Sequence, residues 1–306
     1  MKNLLKLGDL SEKEITLILN TADQLKFELK NGIEHHYLKD KTLAMICAKA
    51  STRTRVSFET GIFQLGGQGL FLSTNDLQIG RGEPIQDTAR VLSRMVDCIM
   101  IRTFAQEDVE NLAKYGSIPV INGLTDYCHP CQVLADLMTI REYKQSLKGL
   151  KMAFIGDGNN MANSLIVGGI KTGMTVAIAC PKEYQPDPDI IKWGLETGKL
   201  IITTDVYEAA KDADVLYTDV WASMGQESEK AIREKAFKGY QINKDVMAVA
   251  KKDAIVLHCL PAHREEEITN EVFEAHANEI FDEAENRLHA QKAVMLLLMN
   301  PDAIKA

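Results

Sequence analysis

Leu43-Ala44-Met45-Ile46-Cys47-Ala48-Lys49-Ala50-Ser51-Thr52-Arg53-Thr54-Arg55 steps from an apolar run into a segment dense in hydroxyls and guanidinium groups. Six apolar residues bounded by polar ones have the length of a buried strand. Ser and Thr directly after it favour a helix start. The same unit recurs outward along the chain. Apolar runs at Leu70–Ser73, Cys98–Arg102 and Pro119–Asn122 predict three more strands, and a second set falls at Met152–Gly156, Val176–Cys180, Leu200–Thr204, Val215–Thr218 and Ile255–Cys259. Amphipathic helices separate them. Strands alternating with helices imply parallel sheets covered on both faces.

The predicted fold is therefore α/β, with two open parallel-sheet α/β domains joined by a long helix. That helix is expected over about Cys131 to Gln145, with an apolar stripe of Leu134, Leu137, Met138, Ile140 and Tyr143. The stretch Ala284 to Met299 predicts a C-terminal helix packing back on the first domain. Domain limits of 1–130 and 131–306 follow, the second including both the joining and the returning helix. At the other end, Ser11 with Glu14 three residues on marks a capping box before Ile15, Ile18, Leu19, Ala22, Leu25 and Leu29. Ligands of such units bind at the carboxyl ends of the strands, here expected where the sheets face each other.

Across 306 residues, Lys+Arg 35 against Asp+Glu 43 gives a net charge of −8, so no basic excess serves sequence-blind binding to nucleic acid. The longest apolar run, Ala293 to Met299, falls far short of the ~20 residues that cross a bilayer. Lys6 and Asp9 interrupt any signal-peptide core. A cytoplasmic protein with no membrane partner is expected. Six cysteines spread over this length read as reduced thiols. Cys128 and Cys131 form a C-x-x-C around His129 and Pro130, but no second ligand pair follows at zinc spacing. Packed thiols are the expectation.

Four segments carry chemistry. Ser51-Thr52-Arg53-Thr54-Arg55 offers helix-start N–H groups, hydroxyls and two arginines, which suits a phosphate or similar dianion. His129-Pro130-Cys131-Gln132 opens the joining helix, where Pro fits the first turn and His129 could donate to a ligand carbonyl. Asp219-Val220-Trp221-Ala222-Ser223-Met224-Gly225 places a carboxylate at a strand end; it suits a cationic ligand or equally the cap of a following helix. His258-Cys259-Leu260-Pro261-Ala262-His263-Arg264 is dense in donors, and zinc ligation by its His, Cys and His lacks a fourth ligand. Gly156-Asp157-Gly158-Asn159-Asn160 begins like a dinucleotide fingerprint. Met161 holds the third glycine position, however, and the next strand ends Ala179-Cys180-Pro181 without an acidic residue for a ribose. The turn is instead expected to present Asn159 and Asn160 to the ligand. Glu265-Glu266-Glu267 and Gln226 to Lys235 read as solvated faces, and Met95, Met100 and Met138 as core.

Together, S-T-R-T-R at 51–55, HPCQ at 129–132, DVWASMG at 219–225 and HCLPAHR at 258–264 resemble the aspartate/ornithine carbamoyltransferase family over essentially the whole chain. The SMG loop and the HCLP segment point to its ornithine branch. The resemblance implies carbamoyl transfer from carbamoyl phosphate to the δ-amine of L-ornithine in arginine metabolism, without metal or organic cofactor, in a homotrimer or multiple of trimers. It implies that Ser51, Thr52, Arg53 and Thr54 hold the phosphate with Arg102, and that His129, Pro130, Cys131 and Gln132 address the carbamoyl group. It further implies that Gln78 acts on a neighbouring subunit's site, that Arg287 closes on carbamoyl phosphate, and that Cys259 and Leu260 lie between the substrates. Asn160, Asp219, Ser223 and Met224 are implied for ornithine. Arg53, Arg102, His129 and Cys259 would carry the chemistry. Glu265 departs from the glycine that the family often places after the HCLPxHR arginine. Putrescine carbamoyltransferase shares much of this pattern and is the nearest rival; its longer C-terminal helix is not expected from the seven residues after Met299.

Overall fold

In a computed structural model, residues 1–75, 77–222 and 229–304 are described; Ser223 and Met224 lie outside them. All nine predicted strands form, each within two residues of its expected ends: β1 Thr42–Cys47, β2 Gln68–Ser73, β3 Cys98–Arg102, β4 Val120–Leu124, β5 Lys151–Ile155, β6 Thr175–Ala179, β7 Leu200–Thr203, β8 Val215–Thr218 and β9 Ile255–His258. Of the helices, those that matter below are α1 Glu12–Lys30, α2 Thr52–Gln64, α3 Ile85–Leu92, α4 Gln106–Tyr115, α5 Pro130–Lys144, α6 Asn160–Lys171, α7 Pro188–Glu196, α8 Val206–Ala210, α9 Lys230–Ala236, α10 Lys244–Val249, α11 Asn270–Ala275 and α12 Ala277–Met299.

The chain forms two compact units, one of Met1–Met138 with Glu285–Ala306, the other of Thr139–Ala284. In the first, a parallel sheet runs β2-β1-β3-β4. Strand β3, Cys-Ile-Met-Ile-Arg, is buried along its whole length, as a strand covered on both faces must be. Ala44, Ile46, Ile99, Ile101 and Val120 pack one face against Ala89 of α3 and Val109 and Leu112 of α4. The β4 edge is closed by the N-terminal segment: the Leu4 N–H donates to Val120 O at 2.9 Å, and the Asn122 N–H to Leu4 O at 2.8 Å. That pairing removes an open template for another chain. In the second unit a parallel sheet runs β7-β6-β5-β8-β9. Ala153, Ile155, Ala177 and Val256 pack against Ala209 of α8, Val246 of α10 and Phe273 of α11.

The units divide the chain at 138/139 where the sequence suggested 130/131, and they return 285–306 to the first unit. Helix α5 therefore starts in the first unit and ends in the second, while α12 does the reverse. Bonds explain the assignment. The Cys131 thiol donates to Asn122 O of β4 at 3.3 Å, and Lys26 of α1 donates to Asn286 of α12 at 2.8 Å. Helix α5 also lacks the predicted stripe, because residues 131–140 are all buried, Gln132, Asp136 and Thr139 among them. A helix buried all round has no polar face. Tyr143, expected in that stripe, is exposed in the last turn and donates its hydroxyl to Asp282 at 2.5 Å. Met100 and Met138 are core as expected, but Met95 is 73% exposed. It stands in the turn after α3, where helical periodicity no longer sets its direction. Among the described residues, no helix is long and apolar enough to cross a membrane.

Candidate active site

The strand order of the first unit reverses between β1 and β3, and open α/β sheets bind ligands beyond the strand ends at such a point. Helix α2 starts there. Ser51 caps it, its hydroxyl accepting from the Thr54 N–H at 3.1 Å. Register places Cys47 of β1 beside Arg102, the last residue of β3. Arg102 is buried and donates from Nη1 to the Thr54 hydroxyl at 3.4 Å. From α12, buried Arg287 donates Nη2 to the same hydroxyl at 3.2 Å and Nη1 to Gln132 Oε1 at 2.7 Å. Its Nε donates to Gln291 Oε1 at 2.8 Å; Gln291 in turn donates to the Ser57 hydroxyl at 2.6 Å, and Ser57 to Arg53 O at 2.6 Å. The Gln132 amide donates to Asp136 at 2.8 Å, which fixes which end of it faces Arg287.

His129 immediately precedes α5 and is buried; Pro130 opens the helix, where its missing N–H costs nothing. Burial, then the charges of Arg287, Arg102 and Arg53, hold its imidazole well below the ordinary range. His129 is thus a neutral ring able to donate a hydrogen bond without adding charge. Three guanidinium groups, Arg102 and Arg287 buried and Arg53 half-buried, disfavour a proton on the neighbouring ring, and such a positive field suits an anion. Thr52 is exposed on the first turn. Burial pushes the Cys128 and Cys131 thiols each up to about 12, so both are packed, unreactive thiols. Gln78 is exposed, its carbonyl accepting from the Arg81 and Glu83 N–H groups.

The second unit repeats the device between β5 and β8. Asn159 caps α6, its Oδ1 accepting from the Met161 N–H at 2.9 Å, and its Nδ2 donates to Asp219 Oδ2 at 3.0 Å. Asp219, buried after β8, accepts at Oδ1 from the Val220 N–H at 2.8 Å and from the Cys259 thiol at 3.1 Å. Asn160 is the first helical residue and half-buried. Of the two asparagines that the sequence singled out at this turn, Asn159 caps the helix and also bonds Asp219. Gly158 has a packing reason, since a Cβ there would lie 2.3 Å from backbone atoms of Gln185 and Pro186.

Beyond β9, the Leu260 N–H donates to His258 Nδ1 at 2.9 Å, so the ring proton is on Nε2, which donates to Glu267 Oε1 at 2.9 Å. Glu267 also accepts from the His263 N–H at 2.6 Å. Both His258 nitrogens are committed, and the ring braces the turn carrying Cys259 and Leu260. Leu260 sits at φ +58°, a left-handed conformation costing an L-residue about 1–2 kcal/mol. Glu265 likewise has φ +70°, which accounts for the glycine common at that place; its carboxylate accepts from the Asn270 N–H at 2.8 Å.

Two stretches read as solvated faces are not wholly so. Glu267 is fully buried because it is the acceptor for His258 and His263. Arg233 is buried because it meets Asp157 at 2.8 Å. Burial, which outweighs the attraction of Arg233, pushes the Asp157 carboxyl up to about 6.

Fold and clusters define a two-unit α/β protein with a guanidinium-rich cluster in one unit and a carboxylate-centred cluster in the other. Family models agree. The carbamoyl-P binding domain of aspartate/ornithine carbamoyltransferase matches residues 2–142, and the Asp/Orn binding domain matches residues 148–298. The chain belongs to the aspartate/ornithine carbamoyltransferase family. It is 54% identical over 303 residues to an ornithine carbamoyltransferase of Thermococcus kodakarensis, covering 97% of this chain and 96% of that one. The solved ornithine carbamoyltransferase of Pyrococcus furiosus superposes with a TM-score of 0.93 at 53% identity, over 97% of each chain. The anabolic ornithine carbamoyltransferase of Campylobacter jejuni gives a TM-score of 0.93 at 47% identity, over 98% of this chain and all of that one.

Proposed function

We propose that this protein transfers the carbamoyl group of carbamoyl phosphate to the δ-amine of L-ornithine, forming L-citrulline and phosphate. The observation that carries this is the positive field of half-buried Arg53 and buried Arg102 and Arg287 around neutral His129, at a helix start whose N–H groups suit phosphate. Ser51, Thr52, Arg53, Thr54 and Arg102 hold the phosphoryl oxygens. His129 and Gln132 address the carbamoyl group, with Arg287 fixing Gln132. The ornithine δ-amine loses its proton and attacks the carbamoyl carbon; the C–O bond to phosphate then breaks, and its electrons leave on the phosphate. Arg53, Arg102 and His129 stabilise the oxyanion and the departing dianion, which is catalysis by preorganised charge and positioning. Asp219 and Cys259 orient the amine, and Asn160, Ser223 and Met224 hold the amino-acid end. Direct transfer needs neither covalent intermediate nor cofactor.

The similarity to ornithine carbamoyltransferases supports ornithine over putrescine, and the anabolic relative in Pyrococcus furiosus supports a role in arginine biosynthesis. A cytoplasmic homotrimer, or a multiple of one, with Gln78 completing a neighbour's site, accords with its exposed position. The test is citrulline formation from carbamoyl phosphate with ornithine, putrescine and aspartate in parallel. Preference for ornithine is expected. Preference for putrescine would overturn the substrate assignment, and no turnover from folded protein would overturn the activity.

A further inference from the structure

Arg233 is a buried charged side chain of the second unit with several partners. Its Nη1 donates to Asp157 Oδ2 at 2.8 Å and to Trp221 O at 3.0 Å, and its Nε donates to Glu229 Oε2 at 3.2 Å. The guanidinium plane lies 5.0 Å from the centre of the Tyr184 ring. One side chain thus ties together the segments that follow β5, β6 and β8 and the start of α9. Two of those segments carry the carboxylate-centred site. Asp157 is two residues before Asn159, which donates to Asp219, and Trp221 is two residues after Asp219. A planar fork serving three acceptors fixes orientation as a lysine ammonium cannot.

We propose that Arg233, through Asp157 and the Trp221 carbonyl, is a positioning residue that sets the Asn159–Asp219 arrangement and thereby the protein's selectivity for the ornithine amine. The inference rests on the proposed activity. It assigns Arg233 no contact with substrate and no part in phosphate binding, because the phosphate-binding residues lie in the other unit.

The experiment measures kcat and both KM values for wild type, Arg233→Ala, Arg233→Lys and Asp157→Asn, with melting temperatures alongside. Arg233→Ala is expected to raise the ornithine KM tenfold or more while the carbamoyl phosphate KM stays within twofold. Arg233→Lys is expected to recover part of that loss. Asp157→Asn, nearly isosteric, is expected to raise the ornithine KM at least threefold, and it carries the test should Arg233→Ala fail to fold. An unmoved ornithine KM, or equal rises in both KM values with a lowered melting temperature, would overturn the positioning role. A wild type that forms no citrulline would bring down the functional reading and this role with it.

Discussion

Arg53 is the second residue of α2, following Thr52 at its start. A cation in a first turn opposes the helix dipole by about 0.3–1 kcal/mol. It also adds to the charge that holds His129 neutral. A bound dianion would offset the positive charge that Arg53 adds there. Replacing Arg53 with Ala should therefore leave the melting temperature within a few degrees of wild type while removing one guanidinium–phosphate pair. At a contact distance of ~4 Å and an effective dielectric near 20, such a pair is worth about 4 kcal/mol. Each tenfold in rate takes ~1.4 kcal/mol, so kcat/KM for carbamoyl phosphate should fall by about three orders of magnitude. Because the charge on the leaving phosphate grows along the reaction, part of the loss should appear in kcat. Steady-state citrulline assays over a range of carbamoyl phosphate, with thermal melts on the same samples, decide it. A kcat/KM within tenfold of wild type in a folded variant would remove Arg53 from the mechanism. Loss of fold would show instead that its role is structural.

Between pH 6 and 9, activity should rise with pH as the ornithine amine deprotonates; a flat profile would contradict amine deprotonation as a controlling step. His129 does not titrate in that range, since its folded value is depressed. The unfolded chain takes up a proton near pH 6.5 that folded His129 refuses, so its contribution is complete above that pH and lost as pH falls below it. Thermal melts from pH 7.5 to 5 should show that decline, and His129→Gln should flatten it. Cys259→Ser keeps a donor toward Asp219 and should cost about tenfold in turnover, whereas an essential thiolate nucleophile would cost far more. Ser11→Ala removes a capping box in which the Ser11 hydroxyl accepts from the Glu14 N–H, and should cost ~1 kcal/mol of stability by denaturant titration with turnover unchanged.

The local rules that placed β1 through β9 work because each strand is a short apolar run bounded by polar residues, and a parallel strand buried on both faces writes itself as such a run. The segment proposed to bind phosphate was legible for a related reason. Ser51 and Thr54 make contacts within one helical turn, and local contacts are written in local sequence. What escaped was long-range. Arg233 and Glu267 lie in charge-rich stretches whose neighbours face solvent. The approach of Asp157, 76 positions away, with Tyr184 and the Trp221 carbonyl, buries the first. The second is buried by His258, nine positions away across a turn whose course no pattern of hydrophobicity encodes.

Helix α5 itself was legible, but its burial on every side escaped for the opposite reason. Its polar residues Gln132 and Asp136 satisfy each other four positions apart, which is good surface chemistry for an isolated helix. The same pair is buried here because Arg287, 155 positions on, occupies the remaining face of Gln132. The residues proposed to present charge to substrate thus stand largely at strand ends and helix starts, where sequence marks them. The residues that aim those groups are found wherever the fold brings a distant side chain to the back of them. Arg287 belongs to both sets, since it adds positive charge near His129 and also fixes the carboxamide of Gln132. Its replacement by Lys would keep the charge and lose the fork that reaches Thr54 and Gln132 together, so charge and aim are separable at that single position.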